Sequence, residues 1–226
     1  MIKSIPGILL ASGLSARFGS EKLLVHLPTG ERLLERSLKI HLQSKIAPLV
    51  IVISPKLAKI ILKDRDFLHV YRLRAMEYGD SWYSFESEWG NGRLIINEDF
   101  QKGISSSLRK GLFCLEDEEK AKGLLVSLAD LPLLTSGEID FLIDQFLIKP
   151  DGILQPVYEN LPGHPVIIDF KRFKNDILTI KGDVGLSVIV RKYPAAVKKI
   201  LWRSNSVIRD IDNKEDLEKF REGYLR

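Results

Sequence analysis

Residues 8–24 read ILLASGLSARFGSEKLL, an apolar run that breaks into a loop of small residues carrying one Arg and one Lys before apolar residues resume. A short run of Ile and Leu bounded by turn residues is the pattern of a strand buried on both faces. Gly13 and Gly19 permit tight or left-handed backbone in the loop, and Ser12, Ser15 and Ala16 keep bulk out of it. A loop leaving the first strand of an open α/β sheet presents backbone N–H groups to an anion at the carboxyl ends of the strands. Arg17 and Lys22 add positive charge there. The spacing matches neither familiar phosphate loop: Ser20 and Glu21 separate Gly19 from Lys22, which breaks the Walker pattern, and Gly-x-Gly-x-x-Gly is absent. On these residues alone, the loop is either a phosphate cradle or a strand-to-helix turn with solvated charges.

Outward from this stretch, similar apolar runs at residues 49–53, 94–96 and 124–128 join residues 7–11 as predicted buried strands. Helical patterns lie between them at residues 33–43 (LLERSLKIHLQ), 55–62 and 106–115. This alternation predicts crossovers between parallel strands, hence an α/β fold with a Rossmann-like, doubly wound, mostly parallel sheet. Residues 76–93, MEYGDSWYSFESEWGNGR, break the alternation and read as a long loop or insertion. Residues 153–168, ILQPVYENLPGHPVII, read as two strands joined by a turn with Asn160 and Gly163, an antiparallel hairpin added to the sheet. No repeat, low-complexity tract or linker interrupts the chain, which predicts one domain over residues 1–226.

Composition narrows the function. A chain of 226 residues with 45% hydrophobic content supplies one sizeable core. Thirty-four Lys and Arg against 30 Asp and Glu give a net charge of +4, which suits an anionic small molecule. Basic tracts with interleaved aromatics are missing, which argues against nucleic acid as a partner. Cys114 is the sole cysteine, so an intrachain disulfide and a cysteine metal cluster are excluded; LRKGLFCLEDEEK makes it a packed helical residue. The apolar segment at residues 5–11 is too short for a membrane span and has no cleavage region, so no membrane association and a cytoplasmic location are expected. His26, His41 and His69 form no metal-ligand spacing and read as structural.

Asp130 follows the apolar run 124–128 and should stand at a strand's carboxyl end over the ligand crevice. A carboxylate there needs a partner, and a divalent ion on triphosphate oxygens is a suitable one. The alternative, capping of the next helix, is better served by Thr135 and Ser136.

LLASGLSARFGSEKLL resembles the signature of the MobA-like nucleotidyltransferases. That family includes the molybdenum cofactor cytidylyltransferases and guanylyltransferases and is related to the methylerythritol phosphate cytidylyltransferases. NEDFQKGISSSLRKGL, LLVSLADLPLLT, GHPVII, KGDVGL and IRDIDNKEDL resemble further blocks of the family, in its order and across nearly the whole chain. The resemblance implies a nucleotide-diphospho-sugar transferase type of fold and a nucleotidyltransferase. It implies that Leu10, Ala11, Ser12, Gly13 and Gly19 wrap the nucleotide, with Arg17 on its outer phosphates and Lys22 near the α-phosphate. Gly103 and Ser107 would meet the base, Asp130 would hold Mg2+, and Asp210, ranked above Asp212, would be a second ligand. His164 and Asp183 would contact the acceptor, although each also suits a turn. Arg17, Lys22 and Asp130 would then carry catalysis by neutralising charge at the α-phosphorus.

Guanylyltransferases of the family tend to have two glycines where this chain has Ser12 and Gly13, so the resemblance favours CTP over GTP. The implied reaction transfers CMP from CTP to a molybdopterin-type cofactor, with a molybdenum hydroxylase as downstream partner. Two rivals stand beside it: transfer to another phosphorylated small molecule, with residues 76–93 helping to form the acceptor pocket, and a non-catalytic nucleotide-binding accessory of such a hydroxylase.

Overall fold

In the computed structural model, which describes residues 5–13, 18–19, 21–76, 81–115 and 121–224, the opening apolar run forms strand β1 (Ile5–Ala11). Helix α1 (Leu33–Leu42) carries the chain to β2 (Ile46–Ile53), and α2 (Pro55–Ile61) and α3 (Arg65–Tyr71) follow. Then come β3 (Arg74–Ala75), β4 (Trp82–Ser87), β5 (Gly90–Ile96), α4 (Ile104–Phe113), β6 (Gly123–Leu128) and α5 (Ser136–Ile148). The last third holds β7 (Ile153–Tyr158), β8 (Leu161–Pro162), β9 (Val166–Asp169), α6 (Phe170–Thr179), α7 (Ser187–Lys192), β10 (Val197–Leu201) and α8 (Lys214–Tyr224).

The strands form a single sheet in the order β10-β7-β9-β6-β1-β2-β5-β4-β3, with β8 paired to β7. Its centre, β6-β1-β2-β5, is parallel, in register from Gly7↔Leu125 through Leu49↔Gly92. Consecutive residues of the central strands feed opposite cores because side chains alternate across a strand. Leu9, Ile51 and Leu125 pack under α1, α3 and α5, whereas Ile8, Val50 and Val126 pack under α4 and α6. The chain lays β2 and then β5 on one side of β1, and returns as β6 on the other. Loops from β1 and β6 therefore diverge, and a crevice opens at their carboxyl ends. No helix among the described residues is long and apolar enough to cross a membrane.

The predicted strands and helices are present with modest changes of boundary, and Cys114 is buried at the end of α4. Residues 153–168 form the expected antiparallel addition, but as three strands: β7 turns through Glu159 and Asn160, with φ of 47° and 65°, into the short β8, and Gly163 lies between β8 and β9 instead of in that turn. Residues 76–93 differ from expectation. Residues 77–80 lie outside the described residues, but the rest is sheet: β4 pairs antiparallel with β5 from Trp82↔Ile95 to Ser87↔Gly90. The polar and aromatic alternation of WYSFES is that of a strand near a sheet edge, where one face stays solvated. Gly92 is needed because a Cβ there would lie 2.6 Å from the Phe85 ring.

Candidate active site

Leu10 and Ala11 end β1, and the cleft beyond them holds about 430 Å3. Ser12, Gly13, Lys22, Gly103, Ser107, Asp130, Asp183, Asp210 and Asp212 share its wall. Arg17 lies outside the described residues. Gly19, with φ of 76°, makes the left-handed turn before Lys22 and is not part of the wall.

Lys22 stands on a short helical turn, 8% exposed, and its Nζ bridges Asp130 Oδ2 at 2.6 Å and Asp212 Oδ1 at 2.7 Å. Burial disfavours its charge, but Asp130 and then Asp212 outweigh that cost and raise its pKa above the usual lysine value. Asp130 follows β6 as expected, and Thr135 caps α5 through a capping box with Glu138. Asp210 and Asp212 arrive from the segment after β10, held by Ile211 N–H donating to the Asp130 carbonyl at 3.0 Å. One oxygen each from Asp130, Asp210 and Asp212 lie within 4.8 Å of one another. Burial, then repulsion from Asp130 and Asp212, raises the Asp210 pKa. When ionised, three carboxylates against one ammonium leave two excess negative charges among the described residues, where Asp130 Oδ1 is buried without a partner. This donor set fits a divalent cation that takes its remaining ligands from phosphates and water.

The other wall is built from serines. Asn97, directly after β5, donates from Nδ2 to Ser106 Oγ and Ser107 Oγ, both at 2.9 Å, and Ser107 Oγ shares a hydrogen with Ser12 Oγ at 2.5 Å. Helix α4 starts two residues before the predicted position, so these serines sit inside its first turn instead of capping it. The Ile104 N–H is taken by Asp183 Oδ1 at 3.2 Å, a cap supplied from 79 residues away. Asp183 therefore lines the cleft and anchors a helix end at once. Gly103, with φ of 89°, admits this contact: a Cβ there would meet the Asp183 backbone at 2.5 Å.

His164 is not among the cleft's lining residues. Its backbone N–H donates to the Val207 carbonyl at 2.8 Å, and its Nδ1 is buried without a partner. Burial lowers its pKa, with Asp130 opposing. Asp212, ranked below Asp210 from the sequence, stands in the same carboxylate group and also reaches Lys22, and Asn213 with Asp216 caps the start of α8. Asn97, Phe100 and Ile104 were not singled out. Asn97 had a readable signal, since it follows the apolar run 94–96 as Asp130 follows 124–128.

A MobA-like NTP transferase domain model matches residues 7–197. Over 132 residues the chain is 27% identical to the nicotine blue oxidoreductase of Paenarthrobacter nicotinovorans, covering 55% of this chain and 62% of that protein. Over 167 residues it is 25% identical to the molybdenum cofactor cytidylyltransferase of Escherichia coli K12, covering 74% and 71% respectively. The crystal structure of Rv0371C from Mycobacterium tuberculosis in complex with manganese superposes with a TM-score of 0.69 at 20% identity, over 96% of this chain and 98% of that one. The fold is thus the mixed α/β, mostly parallel type of the nucleotide-diphospho-sugar transferases. With six sequence blocks in order and a family match over most of its length, the chain belongs to the MobA-like NTP transferase domain family and is a nucleotidyltransferase.

Proposed function

We propose that the protein transfers CMP from magnesium-bound CTP to the phosphate of a molybdopterin-type cofactor. The observation that carries the transfer chemistry is the Lys22 ammonium bridging Asp130 and Asp212 beside the unpartnered Asp130 Oδ1. Asp130, Asp210 and Asp212 would hold the divalent cation, which supplies charge neutralisation on the triphosphate when bound. Lys22 has three N–H donors, two of them on carboxylates, and the third is directed to an α-phosphate oxygen in this reading. An acceptor phosphate oxygen attacks the α-phosphorus in line, the bond to the α–β bridging oxygen breaks, and pyrophosphate leaves with that electron pair. The attacking phosphate is already an anion near neutral pH, so no protein base is required. Alignment and charge neutralisation do the catalysis. Arg17 belongs to this reading as the cation for the outer phosphates.

Cytidine is supported by Ser12 in place of a second glycine, by Ser107 beside it, and by the Escherichia coli relative's name. An acceptor contact by Asp183 from the cleft wall belongs to the same reading, and His164, implied by the family resemblance, would reach the acceptor only if the cleft opened towards it. The test is pyrophosphate release with Mg2+ and each of CTP, GTP, ATP and UTP, with and without molybdopterin. Release with CTP that depends on the pterin is expected. Release only with a sugar or alcohol phosphate would replace the acceptor. CTP binding without release under any condition would point to an accessory protein.

A further inference from the structure

The three carboxylates reach the cleft on two separate segments. Asp130 sits in the turn between β6 and α5, and Asp210 and Asp212 sit between β10 and α8. A fourth carboxylate, outside the cleft wall, joins these segments. Glu138, in the first turn of α5, accepts on Oε2 from the Thr135 N–H and hydroxyl, both at 2.9 Å. On Oε1 it accepts from the Trp202 indole N–H at 2.9 Å, the Ser206 hydroxyl at 2.5 Å and the Ser204 hydroxyl at 3.4 Å.

The Thr135 contacts complete a helix cap and need one oxygen only. Capping gives no account of the second oxygen, which gathers three donors from residues 202–206, the stretch that leads into Asp210. Its end turns inward, with Ser206 buried and Val207 buried directly after it, and the Trp202 ring packs edge-on to Phe141 of α5 at 5.7 Å between centroids. Between this latch and Asp210 there are three residues, so the chain has little slack with which to absorb a shift.

We propose that Glu138 is a positioning residue for nucleotidyl transfer: it latches residues 202–206 to the start of α5 so that Asp210 and Asp212 stand opposite Asp130. The inference rests on reading those three carboxylates as the metal–triphosphate site. Removing the latch leaves the segments joined at Ile211 and through Lys22 and frees residues 202–206 to shift, and the metal then meets a looser set of ligands, a loss that outer-shell partners commonly control.

The experiment measures Mn2+ binding to the full chain by the paramagnetic signal of free Mn2+, in the presence of a non-transferable α,β-methylene CTP. Glu138→Ala and Trp202→Phe are each expected to weaken Mn2+ binding by about tenfold. They should also raise the metal concentration for half-maximal pyrophosphate release, with kcat at saturating metal changed less than about threefold. Combining the two should add less than about twofold to Glu138→Ala, because the contact that Trp202→Phe removes is already lost in it. Glu138→Gln, which keeps an acceptor oxygen for Trp202, should fall between Glu138→Ala and wild type. Thr135→Ala removes the cap alone and should lower Tm without altering Mn2+ affinity. Wild-type Mn2+ affinity in folded Glu138→Ala reduces Glu138 to a helix cap and overturns the proposal. If that variant does not fold, unchanged affinity in Trp202→Phe combined with Ser206→Ala, which removes the two shorter contacts to Oε1 and keeps a ring against Phe141, overturns it instead. Failure of the wild-type protein to bind Mn2+ would remove the metal reading itself, a result distinct from equal binding by wild type and variants.

Discussion

Lys22 and Asp130 are joined by an ion pair that leaves each with unused capacity, a third ammonium donor on one and an unpartnered oxygen on the other. Lys22→Ala should therefore lower pyrophosphate release by about a hundredfold or more while changing CTP affinity several-fold at most, since its charge is needed most in the transition state. Asp130→Ala should reduce turnover by at least as much with the fold intact. Steady-state kinetics beside direct CTP binding decides both, and near-normal kcat in either variant sinks the proposed roles. A second residue prediction lies far from the cleft. His41 is wholly buried in α1, its Nδ1 against the Ser37 carbonyl at 2.7 Å and its Nε2 without a partner, and burial pushes its pKa down to about 4. The unfolded chain binds this proton near pH 6.5 and the folded one only near 4, so the stability His41 contributes is present above pH 6.5 and lost as pH falls towards 4. Urea unfolding should show a loss of ~2 kcal/mol between about pH 6.5 and 4.5 that His41→Leu lacks. An equal pH slope in the variant would assign the acid sensitivity elsewhere. Lys22 and Asp130 were legible as residues of a cleft, one from the loop after the first apolar run and the other from its place after residues 124–128, whereas Ser107 was implied only by the family resemblance. The pairing of Asp212 with Lys22 was not legible, since only three-dimensional proximity tells which of two aspartates meets a lysine 190 positions away.

Helix α4 shows how one element draws its cap and its ligand wall from different parts of the chain. Gly103 ends the turn before it in a left-handed conformation, under the backbone of Gly182 and Asp183. Gly103→Ala should cost about 2 kcal/mol or more, because a methyl at 2.5 Å from backbone atoms forces the 182–183 turn away and strains φ as well. Gly13→Ala meets nothing within 4 Å and should leave stability unchanged, yet it places a methyl in the cleft wall and should weaken CTP binding. Urea unfolding and CTP titration of the two variants check the contrast, which fails if both glycines behave alike. At this scale the parallel strands and their helices were readable from runs of Ile, Leu and Val between 3.6-periodic segments. The hairpin of β4 and β5 was missed because its solvated, aromatic-rich alternation is the pattern of an edge, and the rule applied was one for strands buried on both faces. The start of α4 lies two residues before the expected 106, and its first N–H is taken by an aspartate from another part of the chain, which no local pattern reveals.

Across the whole molecule the cleft takes its walls from β1, the start of α4, the end of β6 and the segment before α8, elements spread from residue 10 to residue 212. A ligand bridging them stabilises the folded state as a unit. Saturating CTP with Mg2+, at about a hundred times Kd, should raise unfolding free energy by ~2.7 kcal/mol. Thermal denaturation with and without CTP checks this, and an unmoved Tm alongside measurable binding would place the nucleotide on a surface that survives unfolding. The sequence by itself determined the alternation of strand and helix, the buried centre of the sheet, the glycine and lysine loop at its first strand and the family. Those features depend on local periodicity and on short blocks whose spacing can be read along the chain. Only the tertiary structure decided which carboxylates converge, that Asp183 caps α4, that His164 is buried away from the cleft lining and that Glu138 joins two segments. Each of these depends on the distance between residues far apart in sequence, and packing of the two cores against one sheet fixes that distance.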